Sequence, residues 1–101
     1  ANQEDHVSMA TFAARRLSDM AFNVANIVGI ELMAGAQGVE FHAPLKTSKV
    51  LQGVIKDLRR DVPHYKQDHY FAPDIHAAAR QVENGILTPL MPRGLLPSSV
   101  M

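Results

Sequence analysis

Apolar residues recur along the first 41 positions with helical spacing. Leu17, Met20, Val24 and Ile27 fall on one stripe, while Arg15, Arg16, Asp19, Asn23 and Asn26 lie on or near the opposite face. This predicts a helix from about Ser8 to about Phe41, roughly 50 Å long at 1.5 Å per residue. From Val28 the polar face disappears. Val28, Ile30, Leu32, Met33 and Val39 surround the axis, with Gly29, Ala34, Gly35, Ala36 and Gly38 among them. A helix apolar on all sides is buried, and small residues let neighbouring backbones approach, although each glycine costs about 1 kcal/mol of helix propensity. The two short helices that follow are too few to wrap it. Other segments of a longer chain, or other subunits, are therefore expected to cover it. The competing arrangement is a compact three-helix domain whose first helix breaks near Gly29 or Gly35 and folds back. Glu31, inside the apolar half, is expected to be a paired structural carboxylate, because an unpaired buried charge is costly.

Pro44 closes this element. Thr47 or Ser48 is placed to cap a second helix that ends before Pro63. Leu51, Val54, Ile55, Leu58 and Val62 form its apolar stripe, and Lys49, Gln52, Lys56, Arg59 and Arg60 its solvated face. Residues 63–72 read as a polar and aromatic loop. Pro73 then suits the first position of a third helix with the stripe Ile75, Ala78, Ala79 and Val82. Gly85 is positioned to end that helix in the left-handed conformation. The remainder, Ile86 to Met101, has Pro89, Pro92 and Pro97 among leucines and methionines. It is too broken to be helical and too apolar to float, so it is expected to dock along another surface. The fold class is all-α: one long helix, two shorter helices and a proline-rich apolar tail, forming a single segment over 1–101.

Composition narrows the functional classes. Ten basic and ten acidic residues balance, leaving no electrostatic footprint for nucleic acid or an anionic membrane. With no cysteine, disulfide scaffolds and cysteine zinc sites are excluded. The start is polar and acidic, unlike a signal peptide. Val24 to Val39, interrupted by Asn26, Glu31 and Gln37, is too short and too polar for a membrane span. A cytoplasmic protein is expected. Ala1 stands inside a helix-start signal, as in a piece of something longer.

Little of the remaining sequence offers chemistry. His64, Asp68 and His69 are close together, and His6 stands beside two acids, but no His-Glu-x-x-His spacing is present and no metal site is assigned. There is no Gly-x-Ser-x-Gly elbow and no phosphate loop; the Gly35 and Gly38 pair reads as packing. The densest cluster is Gln3-Glu4-Asp5-His6-Val7-Ser8, placed where a long helix begins. Helix N-termini suit anionic groups, but on local grounds the favoured reading is a simple cap by Asp5 or Ser8.

A resemblance extends beyond spacing. Ala1-Asn2-Gln3-Glu4-Asp5-His6-Val7-Ser8-Met9 resembles a segment near the C-terminal end of histidine ammonia-lyases. Ile30-Glu31-Leu32, Ala36-Gln37-Gly38, Leu45-Lys46-Thr47-Ser48, His64-Tyr65, Phe71-Ala72-Pro73-Asp74-Ile75 and the Leu-Pro-rich tail are similar to the same family, in the same order. The combination with Phe71-Ala72-Pro73-Asp74-Ile75 favours the histidine branch over the phenylalanine and tyrosine branches.

The resemblance implies a part of the long-helix bundle of a larger, homotetrameric lyase that converts L-histidine to trans-urocanate and ammonia. It implies an electrophilic methylidene-imidazolone made from an Ala-Ser-Gly triplet, and no such triplet stands in these residues. It carries Glu4 over as the catalytic and substrate-binding acid, with Gln3 and Asn2 as adjoining substrate-binding residues. His6 receives no role. A carboxylate is a natural partner for the substrate ammonium, and a helix N-terminus favours that ionised form. A base for a carbon-bound proton needs a higher pKa, which burial supplies. Both roles stay open, and a family tyrosine absent from this chain competes for the second. The chain alone is expected to be inactive and to form a dimer or larger species. Two alternatives stand beside this: a tyrosine or phenylalanine ammonia-lyase or aminomutase of the same superfamily, and a non-enzymatic helical module that self-associates through its first helix. The parent reading frame separates the last from the others.

Overall fold

The computed structural model describes residues 6–92, 94 and 95. Among them there are three α-helices and no strand: α1 Ala10–Glu40, α2 Lys49–Leu58 and α3 Ala72–Glu83, followed by a 3-10 turn at Thr88–Leu90. The expected all-α class holds, and each helix lies within a few residues of its predicted place.

Local chemistry accounts for the boundaries. The Ser48 hydroxyl accepts the Leu51 N–H at 3.3 Å, so Ser48 rather than Thr47 is the cap. The helical hydrogen bonds of α2 stop at Leu58, and turns over Arg59 to Asp61 lead to Pro63. Helix α3 starts one residue before Pro73, with Phe71 as its cap residue, and proline is tolerated there because a first-turn N–H has no helical partner. After the C-cap Asn84, Gly85 takes φ +71°, the left-handed conformation that a Cβ disfavours. The Ala43–Pro44 peptide bond is cis.

Helix α1 does not break at Gly29 or Gly35; it is continuous over 31 residues. The compact three-helix arrangement is therefore not the one adopted. The molecule measures 72 × 38 × 18 Å, with a radius of gyration of 19.3 Å, against about 13 Å for a compact chain of this size. Its core sits at one end. Met33 and Ala36 of α1, Leu58 of α2, Val62, and Ala77 and Ala78 of α3 form the buried cluster, with Leu32, Ile55, Phe71 and Ile75 packed against it. The α1–α3 crossing is at Gly29. A Cβ there would stand 2.9 Å from the Ala79 backbone nitrogen, so this glycine is required by backbone contact.

The expected burial of α1 is only partly realised within this chain. Ala25, Gly29, Met33, Ala36 and Gln37 are buried, a spacing that marks one helical face. Leu17, Met20, Val24 and Ile27, the predicted stripe, are all more than half exposed. Gly35 and Gly38 have open space where a Cβ would point, so no described residue uses them for close packing. Glu31 is exposed and makes no ion pair among the described residues. The expected pairing fails because Glu31 borders an open apolar cleft, whose facing residues Leu51, Val54, Ile55 and Leu87 offer no cation. The tail is half-buried at Ile86 and Leu87 and exposed from Leu90 onward among the described residues, so only its start docks.

By length and composition alone, α1 is apolar enough to cross a membrane: its best 18-residue stretch has a mean hydropathy of 1.2. The run Val24–Val39 underestimated this, because the helix extends 14 residues further towards the N-terminus.

Candidate functional site

Asn2, Gln3 and Glu4, the residues singled out for substrate binding and catalysis, lie outside the described residues, as does Asp5. What the structure shows next to them is the start of α1. Its cap residue is Met9, whose side chain makes no capping bond, and its first turn has no acidic residue. Ser8 Oγ takes the Ala10 N–H at 3.4 Å, a long contact that satisfies one of the free donors only weakly. His6 and all residues through Val24 are exposed.

The ordered polar chemistry is at the other end of α1, about 45 Å away along a helix of this length. Gln37 and Glu40, three residues apart on α1, meet Arg59 from the end of α2 and His64 from the loop beyond it. Arg59 grips the Glu40 carboxylate with two bonds, Nε to Oε1 at 3.0 Å and Nη2 to Oε2 at 2.7 Å. Its Nη1 donates to the Val62 carbonyl at 3.1 Å, and its Nη2 also to Gln37 Oε1 at 3.2 Å. His64 Nδ1 lies 2.6 Å from Glu40 Oε2. Gln37, only 2 % exposed, donates through Nε2 to the Tyr65 carbonyl at 2.9 Å.

Arg59 was expected on a solvated face. Instead its side chain is 15 % exposed, because the chain turns after Leu58 and lays the guanidinium against α1. The Arg59 hydrogen bonds hold Glu40 down to about 2 from its ordinary 4.5; partial burial opposes this and the His64 hydrogen bond reinforces it. A carboxylate so acidic is a poor general base near neutral pH. This cluster ties the end of α1 to α2 and the following loop.

A second pairing begins α3. His69 Nε2 donates to Asp74 Oδ2 at 2.7 Å, and its Nδ1 faces the Gln67 carbonyl at 3.4 Å. The Asp74 hydrogen bond raises the His69 pKa, with the Gln67 carbonyl next in effect. The sign follows: this pairing stabilises the fold at low pH and the contribution is lost as pH rises through the raised value. His69 also lies 4.0 Å, centroid to centroid, from Phe71, which meets Tyr65 edge-on at 4.8 Å. Among the described residues no three His, Asp or Glu side chains converge as metal ligands do; His64 turns to Glu40 and His69 to Asp74.

Of the sequence patterns that prompted the resemblance, several described residues take structural positions, while Val7, Met9, Ile30, Glu31 and Leu45 are exposed. Gln37 of Ala36-Gln37-Gly38 and His64-Tyr65 build the polar cluster. Ser48 caps α2. Phe71 and Ile75 support the core while Asp74 holds His69. Neither the His69–Asp74 pair, nor the buried Gln81, nor the Glu40–Arg59–His64 assembly was foreseen. The single local hint of the last was the three-residue spacing of Gln37 and Glu40, because their partners lie 19 to 28 residues further on.

The aromatic amino acid lyase family matches residues 1–60, more than half of the chain. This chain belongs to that family. Among its relatives is the histidine ammonia-lyase of Burkholderia mallei (strain NCTC 10229), 61% identical over 92 residues, covering 91% of this chain and 18% of the relative. That of Rhodospirillum rubrum is 58% identical over 92 residues, with the same coverage. That of Desulfotalea psychrophila is 56% identical over 98 residues, covering 97% of this chain and 19% of the relative. The chain therefore spans less than a fifth of the length of the curated relatives it matches. Within the lyase family, its share is one exposed helix, the polar cluster at that helix's far end, and two short helices.

Proposed function

We propose that this chain is a C-terminal portion of a histidine ammonia-lyase, which eliminates ammonia from L-histidine to give trans-urocanate. The observation that carries this reading is the identity of 56% to 61% with relatives named histidine ammonia-lyase across nearly the whole chain, together with the Gln3-Glu4-Asp5-His6 motif. In the elimination a C–N and a neighbouring C–H bond break and a C=C bond forms. The amino group leaves as ammonia, and a protein group takes the carbon-bound proton. Glu4 is the acid assigned to this site. As a carboxylate it pairs with the substrate ammonium; with a pKa raised by burial it accepts the proton. Gln3 and Asn2 orient it.

The family's methylidene-imidazolone does not fit this chain: no Ala-Ser-Gly triplet stands in the 101 residues. The chain by itself is accordingly inactive. The exposed apolar residues of α1 support assembly with the remainder of the enzyme and with further copies, as a cytoplasmic homo-oligomer with neither membrane nor nucleic acid as partner. Alone, the chain forms dimers or larger species through the same face.

A substrate panel on the full-length enzyme tests the reading. Turnover of L-histidine, followed by urocanate absorbance, is expected to exceed that of L-tyrosine and L-phenylalanine at least about 100-fold, the discrimination that about 2.7 kcal/mol of transition-state binding gives. A preference for tyrosine or phenylalanine would transfer the chain to another branch of the family.

A further inference from the structure

The two histidines of the 63–72 loop have opposite hydrogen-bonding environments. His69 faces two acceptors, the Asp74 carboxylate and the Gln67 carbonyl, so both of its nitrogens suit a proton. His64 faces one acceptor and one donor. Its Nδ1 is 2.6 Å from Glu40 Oε2, and its Nε2 is 3.3 Å from Gln37 Nε2.

The orientation of the Gln37 amide is not free. Its oxygen accepts from Arg59 Nη2 at 3.2 Å, and its nitrogen donates to the Tyr65 carbonyl at 2.9 Å. Turning the amide over would set donor against donor at Arg59 and acceptor against acceptor at Tyr65. The remaining Gln37 N–H therefore points at His64 Nε2, which accepts it only without a proton of its own. The carboxylate opposite fixes the proton on Nδ1.

We propose that His64 is held as the neutral Nδ1–H tautomer and acts as a proton-sensitive latch, joining the Gln37 amide of α1 to the loop while neutral and releasing it when protonated. The imidazolium keeps its Nδ1 bond to Glu40, an attraction that protonation strengthens, so the ring stays anchored on that side. Its new Nε2–H meets the Gln37 N–H, and the repulsion loosens the Gln37 bond to the Tyr65 carbonyl. The charged groups around the ring come from every neighbouring element: Glu40 from α1, Arg59 from the end of α2, Lys46 and Lys56 across the cavity on one side, and Lys66 and Asp68 across the cavity on the other. The Glu40–Arg59 ion pair is internally neutral, so the direct contacts at the two ring nitrogens set the response.

The test is a long-range 1H–15N spectrum of the 101-residue chain, with His64 assigned by comparison with His64→Gln. At neutral pH, His64 should show a protonated Nδ1 and a bare Nε2. On acidification, the Gln37 side-chain amide should move in step with the His64 nitrogens. Its hydrogen exchange, relative to the intrinsic rate at each pH, should rise about fivefold, as the loss of one hydrogen bond implies. In Gln37→Met the loop signals should no longer follow His64. A His64 ring protonated on Nε2 at neutral pH overturns the proposal. So does a correct tautomer whose protonation leaves Gln37 unmoved. Both readouts come from the unsubstituted chain, so they decide the matter even where Gln37→Met fails to fold.

Discussion

The two halves of α1 have similar apolar content and opposite surroundings. From Ala25 onward the helix presents Gly29, Met33, Ala36 and Gln37 to neighbours from α2, α3 and the loops, and its last turn is gripped by Arg59. From Ala10 to Val24 every residue is exposed, including Phe12, Leu17, Met20 and Phe22. The difference is the supply of partners: among the described residues the second half is packed on one face, while the first touches α3 at most through the edge at Phe22. Fold and proposed chemistry are thereby separated. The self-contained end carries structural polar bonds, while the lyase motif precedes the bare end.

The largest effect that bears on this comparison is in the core. Leu58 is fully buried, and Leu58→Ala is expected to cost about 3 kcal/mol in urea unfolding of the chain. Leu17→Ala, at a position 63 % exposed, should stay within about 0.5 kcal/mol of the parent at dilutions where the chain is monomeric. In the full-length enzyme the Leu17→Ala cost should rise to that of a core position. Equal costs for the two substitutions in the chain alone would show that its first half is already covered.

The polar clasp comes next. The Arg59 hydrogen bonds hold Glu40 at about 2 in the fold, against 4.5 otherwise, and solvent screening of this partly open carboxylate leaves roughly 1–2 kcal/mol of stabilisation. Because the folded value is lowered, the stabilisation is complete above pH 4.5 and fades as pH falls towards 2. Glu40→Gln should therefore be less stable than the parent at neutral pH, and the gap should close over that acid range in a series of urea titrations.

The smallest effects are at the glycines, where the sign carries the information. Gly35→Ala should stabilise the chain by about 1 kcal/mol, since helix propensity improves and no atom lies within 4 Å of the new methyl. Gly29→Ala gains the same propensity but drives a Cβ into the α3 backbone, and should be net destabilising by about 1 kcal/mol. If the rest of the enzyme presses on α1 at Gly35, Gly35→Ala becomes destabilising in the full-length protein. Thermal unfolding of both forms reads this reversal.

Much of the fold was legible because its determinants are local. Ser48 caps three residues ahead, Gly85 ends α3 by its own φ, and the α1 period continues unbroken across 31 residues. What escaped depends on distant partners. Arg59 occupies a polar position in the α2 pattern, and only the turn that follows carries it onto Glu40. Glu31 and Gly35 read as buried because the surrounding run is apolar on all sides, and periodicity alone does not say which neighbours the fold supplies; among the described residues both are exposed. The candidate site at Glu4 rests on the family motif and lies outside the described residues, while its local pattern alone reads as a helix cap.

The central claim is that Glu4 works in the chemistry and Glu40 in the scaffold. Substituting each by glutamine in the full-length enzyme and following urocanate formation from L-histidine tests it most directly. Glu4→Gln should lower turnover or substrate affinity by at least about 100-fold, the scale of a lost acid–base group, with unfolding midpoints unchanged. Glu40→Gln should lower the unfolding midpoint and leave the folded enzyme's turnover intact. Wild-type turnover and affinity in Glu4→Gln would contradict the account.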